Sequence, residues 1–438
     1  MADPLLDDLI DWLRIPSIST GGGSVEDLRR AAAWACERVD AAGGEAKLLI
    51  TEGNPIAYGE LRARGVGGDT FPTVLIYGHY DVQSIGDPDA WVSDPFAPEV
   101  RDGRVYARGA SDDKGNFLPL LHAACALARD GALPVNVRVV VEGEEVAGGE
   151  AGARGRAEHA AGADAAIVFD SDMADAQTPA ITVGLRGMVM AEIGVRVGRR
   201  DLHSGMYGGS VLNAAHVLHA MLAQVVPGAD GVPRAELRAG VAPVADAERA
   251  SWERMRPGDE VIAEVGGRPV TPDAGARYYE RNGADTSVEV NEIVVGEPRT
   301  IVPAAARATV SIRLAPGQRS GEIAPVLERL LRDAAPAGAE VELDVTTAEP
   351  ALFPVDSRPM QLAAEAIQAG TGMTPVFQRS GGSIPIVADL AARGITTIVS
   401  GFALSDDDIH APNESYRLES LRLGERTAHE LFHAFARL

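Results

Sequence analysis

Thr73-Val-Leu-Ile-Tyr-Gly-His79-Tyr-Asp81 is the stretch from which the fold of this chain can be read. A short apolar run rich in β-branched and aromatic residues reads as a strand buried on both faces. This one ends in a histidine and a carboxylate. Two runs of the same kind follow, Val135–Val141 and Ala165–Phe169. Phe117–Ala128, lying between the first two, has the length and composition of a buried helix. Helices are also expected over Pro4–Leu13 and Val25–Ala42. Strands that alternate with helices predict an α/β fold, a doubly wound, mostly parallel sheet with helices on both faces.

Working outward, the pattern changes after Ala180. A strand over Met188–Val197 leads to a helix near Gly209, then to an acidic, Pro/Gly-rich segment from Pro227 to Asp285. A strand-helix pattern between Ile301 and Ala335 and a strand over Val341–Thr346 complete a compact α+β unit, inserted into the first domain. The α/β alternation resumes after Pro350, with a helix over Met360–Gly370, a strand over Ile395–Ser400 and a last helix over Leu421–Leu438. The expected boundaries are 1–184, 185–347 and 348–438, the first and third forming one domain.

Composition narrows the function. The 438 residues are 46% hydrophobic and 24% charged, ordinary for a globular chain. Forty Lys and Arg against sixty-three Asp and Glu leave a net charge of −23, which repels phosphate backbones and argues against nucleic-acid binding. Cys36 and Cys125 lie in Ala-rich apolar stretches and read as buried free thiols. The N-terminal residues are acidic and amphipathic, unlike a secretory signal, and no apolar run approaches the roughly 18 residues of a membrane span. A soluble, cytoplasmic protein is the expectation. Lys47 and Lys114 are the only lysines, and Lys114 stands inside the densest polar motif.

In open α/β sheets, ligands bind beyond the carboxyl ends of the strands. His79 and Asp81 share a face by the period-two rule, and a metal-binding histidine usually donates its other N–H to a carboxylate, the pair that His-x-Asp supplies. Ser111-Asp112-Asp113-Lys114 precedes a helix, where the aspartates either cap it or ligate a metal. In Glu142-Gly-Glu144-Glu145 neighbouring side chains point apart, so one glutamate can hold a metal while the other handles a proton. Asp170-Ser-Asp172 offers two carboxylates on one face, and Asp407-Asp408-Ile-His410-Ala-Pro-Asn-Glu414 follows the last strand. Singly, these are a strand-end histidine, a helix cap and solvated acidic loops. Together they form a set of metal-ligand types, four of the five at expected strand ends. Two divalent ions would be balanced by Asp112, Glu145, Asp172 and one hydroxide, with His79 and His410 neutral. Mixed His/carboxylate ligation suits Zn²⁺, with Mn²⁺ or Co²⁺ as alternatives.

The chain resembles the M20 metallopeptidases, and within them the branch of cytosolic non-specific dipeptidases and carnosinases. The matching stretches are Gly78–Val82, Ser111–Gly115, Glu142–Glu145, Ser171-Asp172, Gly184-Leu-Arg-Gly187, Asp201–Gly209, Gly381-Gly-Ser-Ile-Pro385 and His410–Glu414, in family order. The resemblance implies that Asp112 bridges two metals, with His79 and Asp172 completing one site and Glu145 and His410 the other. It implies that Asp81 supports His79, and that Glu144 is the general base acting on a metal-bridging water and later protonating the leaving amine. A cis peptide between Asp112 and Asp113 is implied as well. His203 resembles the histidine that stabilises the oxyanion, reaching the partner subunit's site. Arg313 resembles the residue that grips the substrate carboxylate, with Ser383 and Thr300 adding hydrogen bonds. The inserted unit would then be a lid and dimerisation domain, and the protein a homodimer acting on small peptides.

The expected activity is hydrolysis of dipeptides with a free C-terminal carboxylate. Relatives of the same metal site deacylate N-acyl amino acids, desuccinylate, or act as carboxypeptidases, which leaves those substrates as alternatives. A non-catalytic metal-binding scaffold is disfavoured because Glu144 and every ligand type are present. No nucleophile elbow, P-loop or dinucleotide fingerprint was found in the sequence.

Overall fold

The structure, a computed structural model, describes residues 3–64, 71–146, 159–382 and 384–438. Chain contacts divide it into two compact units. The first holds Met1–Val183, Phe353–Phe377 and Asp389–Leu438; the second holds Gly184–Leu352 and Gln378–Ala388.

Local sequence explains how the first unit begins. Asp3 caps the Pro4–Leu13 helix by accepting the Leu6 N–H, and Pro4 stands at the first helical position, where no N–H is needed. Leu5, Leu9, Trp12 and Leu13 form its buried stripe. Ser24 caps the Val25–Ala41 helix, whose small buried face (Ala31, Ala32, Ala35) lets Trp34 stack on Trp12 at 4.9 Å.

Those helices pack near a sheet with a parallel centre. Seven of its nine described strands run in the order Glu45–Leu49, Ile56–Leu61, Asn136–Glu142, Thr73–His79, Ala165–Phe169, Thr397–Ser400 and Ala180–Leu185. The four from Asn136–Glu142 to Thr397–Ser400 are mutually parallel, and the flanking strands are antiparallel. The register decides the site. His79 pairs with Glu142, Tyr77 with Val168 and Ser400 with Phe169, so the carboxyl ends of four strands finish level with one another.

The second unit is built on an antiparallel sheet in the order Ser287–Val295, Ala305–Leu314, Gly187–Arg196, Glu340–Ala348. Val189, Ala191, Ile193 and Val195 alternate inward, and the Ala214–Leu222 and Ser320–Asp333 helices bury them in one core. The helix expected near Gly209 begins at Ala214, because Asn213 supplies the cap. Short helices, Asp246–Trp252 and Gly258–Glu264, occupy part of the acidic Pro/Gly-rich segment.

The second boundary falls at Leu352/Phe353, and the segment Gln378–Ala388 belongs with the second unit, whereas the sequence division leaves it with residues 348–438. The reason is a buried charge. The Arg379 guanidinium forks onto Glu248 at 2.6 and 2.9 Å, with both side chains under 5% exposed. A Cβ on Gly283 would overlap the Arg379 backbone, so the glycine allows this approach. Among the described residues no helix is long and apolar enough to cross a membrane.

Candidate metal centre

Four loops meet at the level strand ends of the first unit. His79 is fully buried, with Nδ1 donating to the Asp81 carbonyl at 2.9 Å and standing 3.4 Å from the Asp81 carboxylate. Its Nε2 faces Asp112 Oδ1 at 3.1 Å and lies 3.9 Å from Glu145. The other Asp112 oxygen, Oδ2, accepts from His410 Nε2 at 2.8 Å. One carboxylate is thus shared by two imidazoles, one oxygen each. The Asp112–Asp113 peptide is cis, as the resemblance implies, and His410 takes a left-handed backbone with φ of 63°.

Electrostatics follow from this packing. Burial opposes charge on Asp112, but hydrogen bonds from His410 and His79 outweigh it and hold the carboxyl below its usual range. Burial likewise opposes a charged His79, and Asp112 and Asp81 win, raising the imidazole well above its ordinary value. The bond to Asp112 raises His410. Burial pushes the Glu145 carboxyl up, and crowding by neighbouring protein atoms raises that of Asp172, although its residue is exposed at the surface.

Asp113 and Asp170 join the cluster, which the sequence reading did not assign to them. With His79 they offer ligand atoms within 4.8 Å of one another. Asp113 Oδ2 accepts the His79 backbone N–H at 3.1 Å while its Oδ1 is buried without a partner among the described residues. Burial drives both carboxyls well above their usual range, with Asp170 and Asp112 adding to the rise of Asp113, and Glu145, Asp112 and Asp172 to that of Asp170. The available signal was Asp170 at a strand end on the same face as Asp172, but only the register decides which carboxylate lies level with His79.

Glu414 is the second residue without an expected role. Its buried carboxylate accepts from Ser111 N (2.9 Å), Asp112 N (3.1 Å), Gly109 N (3.0 Å) and Arg108 Nη1 (2.7 Å). It therefore clamps the turn carrying Asp112 onto the loop carrying His410. Lys114, conspicuous in sequence, is fully buried and donates to the Trp12 and Ile15 carbonyls at the end of the first helix; burial pushes its ammonium down to about 7.

The remaining expected residues divide by unit. Glu144 lies beside Glu145 in the first, accepting from Asn54 N at 3.1 Å. His203, Thr300 and Arg313 belong to the second. The Ser204 N–H donates to the Thr300 carbonyl, and the Gly205 N–H donates to His203 Nδ1, leaving the proton on His203 Nε2 in an exposed ring. Arg313 is half-buried on its strand, opposite Ser287 and Met188. Ser383 lies outside the described residues.

The side chains fit a pair of divalent cations. Each imidazole faces its own oxygen of one carboxylate, and the surrounding carboxyls are pushed toward neutrality by burial, a cost that bound cations would remove.

Comparison with known proteins agrees with this geometry. The chain is 30% identical over 354 residues to a cysteinylglycine-S-conjugate dipeptidase of Corynebacterium striatum, covering 78% of this chain and 77% of that one. It is 26% identical to the human Beta-Ala-His dipeptidase, covering 82% and 73%. The solved structure of an M20 family metallo-carboxypeptidase from Sulfolobus solfataricus superimposes with a TM-score of 0.84 at 26% identity, covering 100% of both chains. With the model of Peptidase family M20/M25/M40 matching residues 75–434 as well, the chain belongs to that family of peptidases.

Proposed function

We propose that this enzyme hydrolyses dipeptides bearing a free C-terminal carboxylate, using two divalent ions, zinc in the first instance with manganese or cobalt as alternatives. His79 and Asp172 would hold one ion, Glu145 and His410 the other, with Asp112 shared between them. The observation that carries this reading is the Asp112 carboxylate, whose two oxygens face two different imidazoles at 3.1 and 2.8 Å. When bound, such ions polarise the amide carbonyl and make water a nucleophile at neutral pH.

The chain's own groups do the rest. Asp81 fixes His79 so that Nε2 faces the centre. Glu144 Oε2, buried and without a partner among the described residues, takes the proton from the attacking water and returns it to the leaving amine. His203 Nε2–H stabilises the developing oxyanion. The Arg313 guanidinium, a rigid fork of donors, grips the carboxylate, with Thr300 and Ser383 adding hydrogen bonds.

The dipeptidase names of the relatives support the substrate class. The test is a panel of dipeptides, longer peptides and N-acyl amino acids offered to metal-reconstituted protein. Dipeptides should give the highest kcat/KM, and preference for acyl amino acids or longer peptides would overturn the assignment. The proposal includes a homodimer in which His203 acts in its partner's site. Inactive His203→Ala and Glu144→Gln chains, mixed and allowed to exchange, should then regain up to about half of wild-type activity per heterodimer, since two-fold symmetry leaves one intact site. No recovery despite exchange would refute action in trans.

A further inference from the structure

Glu144 is held from a distance in sequence. The loop Thr51-Glu-Gly-Asn-Pro55 joins two flanking strands of the first unit and lies ninety residues before the glutamate. Its Asn54 N–H donates to Glu144 Oε1 at 3.1 Å, and Asn54 Nδ2 donates to the Gly143 carbonyl at 2.6 Å. The loop is itself folded: Thr51 Oγ1 accepts the Gly53 N–H at 3.0 Å and donates to the Asn54 carbonyl at 2.9 Å. From beneath, the Tyr80 hydroxyl donates to the Pro55 carbonyl at 2.6 Å, and a Cβ on Gly143 would overlap that same hydroxyl. The two loops are therefore stitched together through backbone and side chain alike.

Gly53 is the informative position. Its φ lies outside the left-handed range, so the backbone there suits any residue. Space is what it lacks: a Cβ on Gly53 would overlap the Glu144 carboxylate. The carboxylate is the movable end of a side chain, so added bulk would displace Glu144 while leaving the exposed loop backbone in place. One carboxylate oxygen is anchored by an amide, and the other is buried with no hydrogen-bond partner among the described residues.

We propose that the Thr51–Pro55 loop is a positioning device for Glu144, with Gly53 leaving the room that the carboxylate occupies and the Asn54 amide holding one of its oxygens. The inference rests on the reading of Glu144 as the proton-transferring group. It makes Gly53 a positioning residue that touches neither substrate nor metal.

The test is Gly53→Ala, made in the wild-type chain and in Glu144→Ala, with metal content and melting temperature measured beside kcat and KM. A misplacement of about 1 Å costs on the order of 10²-fold in rate. In the wild-type background kcat should fall by about that factor, with KM, metal content and melting temperature unchanged. In the Glu144→Ala background the same substitution should cost nothing more, because there is no carboxylate left to displace. Asn54→Ala, which keeps the backbone N–H, should lose far less. Wild-type kcat in Gly53→Ala, loss of metal, or an equal further loss in both backgrounds would overturn the inference, the last marking a fold defect. Full activity of Glu144→Ala would instead overturn the general-base reading, an outcome separable from the others.

Discussion

Replacing Glu414 by glutamine should weaken the first unit and its hold on metal together. The carboxylate receives four hydrogen bonds, two on each oxygen, from Gly109 N, Ser111 N, Asp112 N and Arg108 Nη1. An amide of the same shape presents one oxygen and one NH₂, so whichever way it turns, two donors lose their acceptor and meet another donor. Arg108 and Glu414 are both about 1% exposed, and water cannot replace the missing partner. Two buried donors left unsatisfied, at ~1–3 kcal/mol each, give ~2–6 kcal/mol. Removing one partner of a buried ion pair costs ~3–5 kcal/mol, an independent route to the same figure. Burial pushes the Glu414 carboxyl up against the pull of Arg108, so the loss belongs in the lower part of that range. The assay is urea unfolding of metal-free protein followed by tryptophan fluorescence, since Trp12, Trp34 and Trp91 of the four tryptophans lie in the first unit. The charged Arg108 should keep the amide oxygen on its side, so Ser111 N and Asp112 N are the donors that lose their acceptor, and zinc affinity should fall too, by about 10–100-fold, as for other groups that orient ligands. A stability change below ~1 kcal/mol would refute the clamp. A large stability loss with unchanged zinc affinity would refute its link to Asp112.

Glu248→Gln breaks the buried pair with Arg379 and should cost a similar ~3–5 kcal/mol in the second unit while leaving zinc affinity untouched; reduced affinity would contradict the placement of all metal-facing groups in the first unit. Glu144→Gln should retain its metals and lose ~10²–10⁴-fold in kcat, whereas Glu145→Ala should lose metal, and the reverse result would exchange the two roles. In metal-free protein His79 and His410 are raised above their unfolded value, so their contribution to stability is fully present below about pH 6.5 and is lost as pH rises through the folded values. Zinc binding at neutral pH should accordingly release protons, and calorimetry in buffers of different ionisation enthalpy would show a zero slope if this were wrong. Burial lifts the Cys36 thiol to about 11 and the Cys125 thiol to about 12, so both should resist Ellman's reagent at pH 8 until the chain unfolds.

Much of this protein is written locally. Apolar runs of strand length, helix stripes and caps such as Asp3 and Ser24 depend on neighbours a few residues away, and the Pro4–Leu13 helix and Ala165–Phe169 strand fall where local pattern puts them. That His79, Glu145 and Asp170 gather on one side was also legible, because strand ends in a parallel sheet do so whatever the loops between them do, whereas the place of Asp112 between two histidines was implied by the family resemblance alone. What the sequence could not decide depends on register and on partners far along the chain. Asp113 reads as a helix cap until its carboxylate is seen to accept the His79 amide, and Asp170 as one of two strand-end carboxylates until the pairing of Tyr77 with Val168 sets it level with His79. Glu414 looks like one more acid in a charged loop until it is seen to receive three amides from some three hundred residues away. Arg379 carries Gln378–Ala388 into the second unit through Glu248, 131 positions distant. Local propensity is an energy of adjacent residues, whereas a buried charge must find its partner wherever the fold brings one, and only the tertiary structure specifies that meeting.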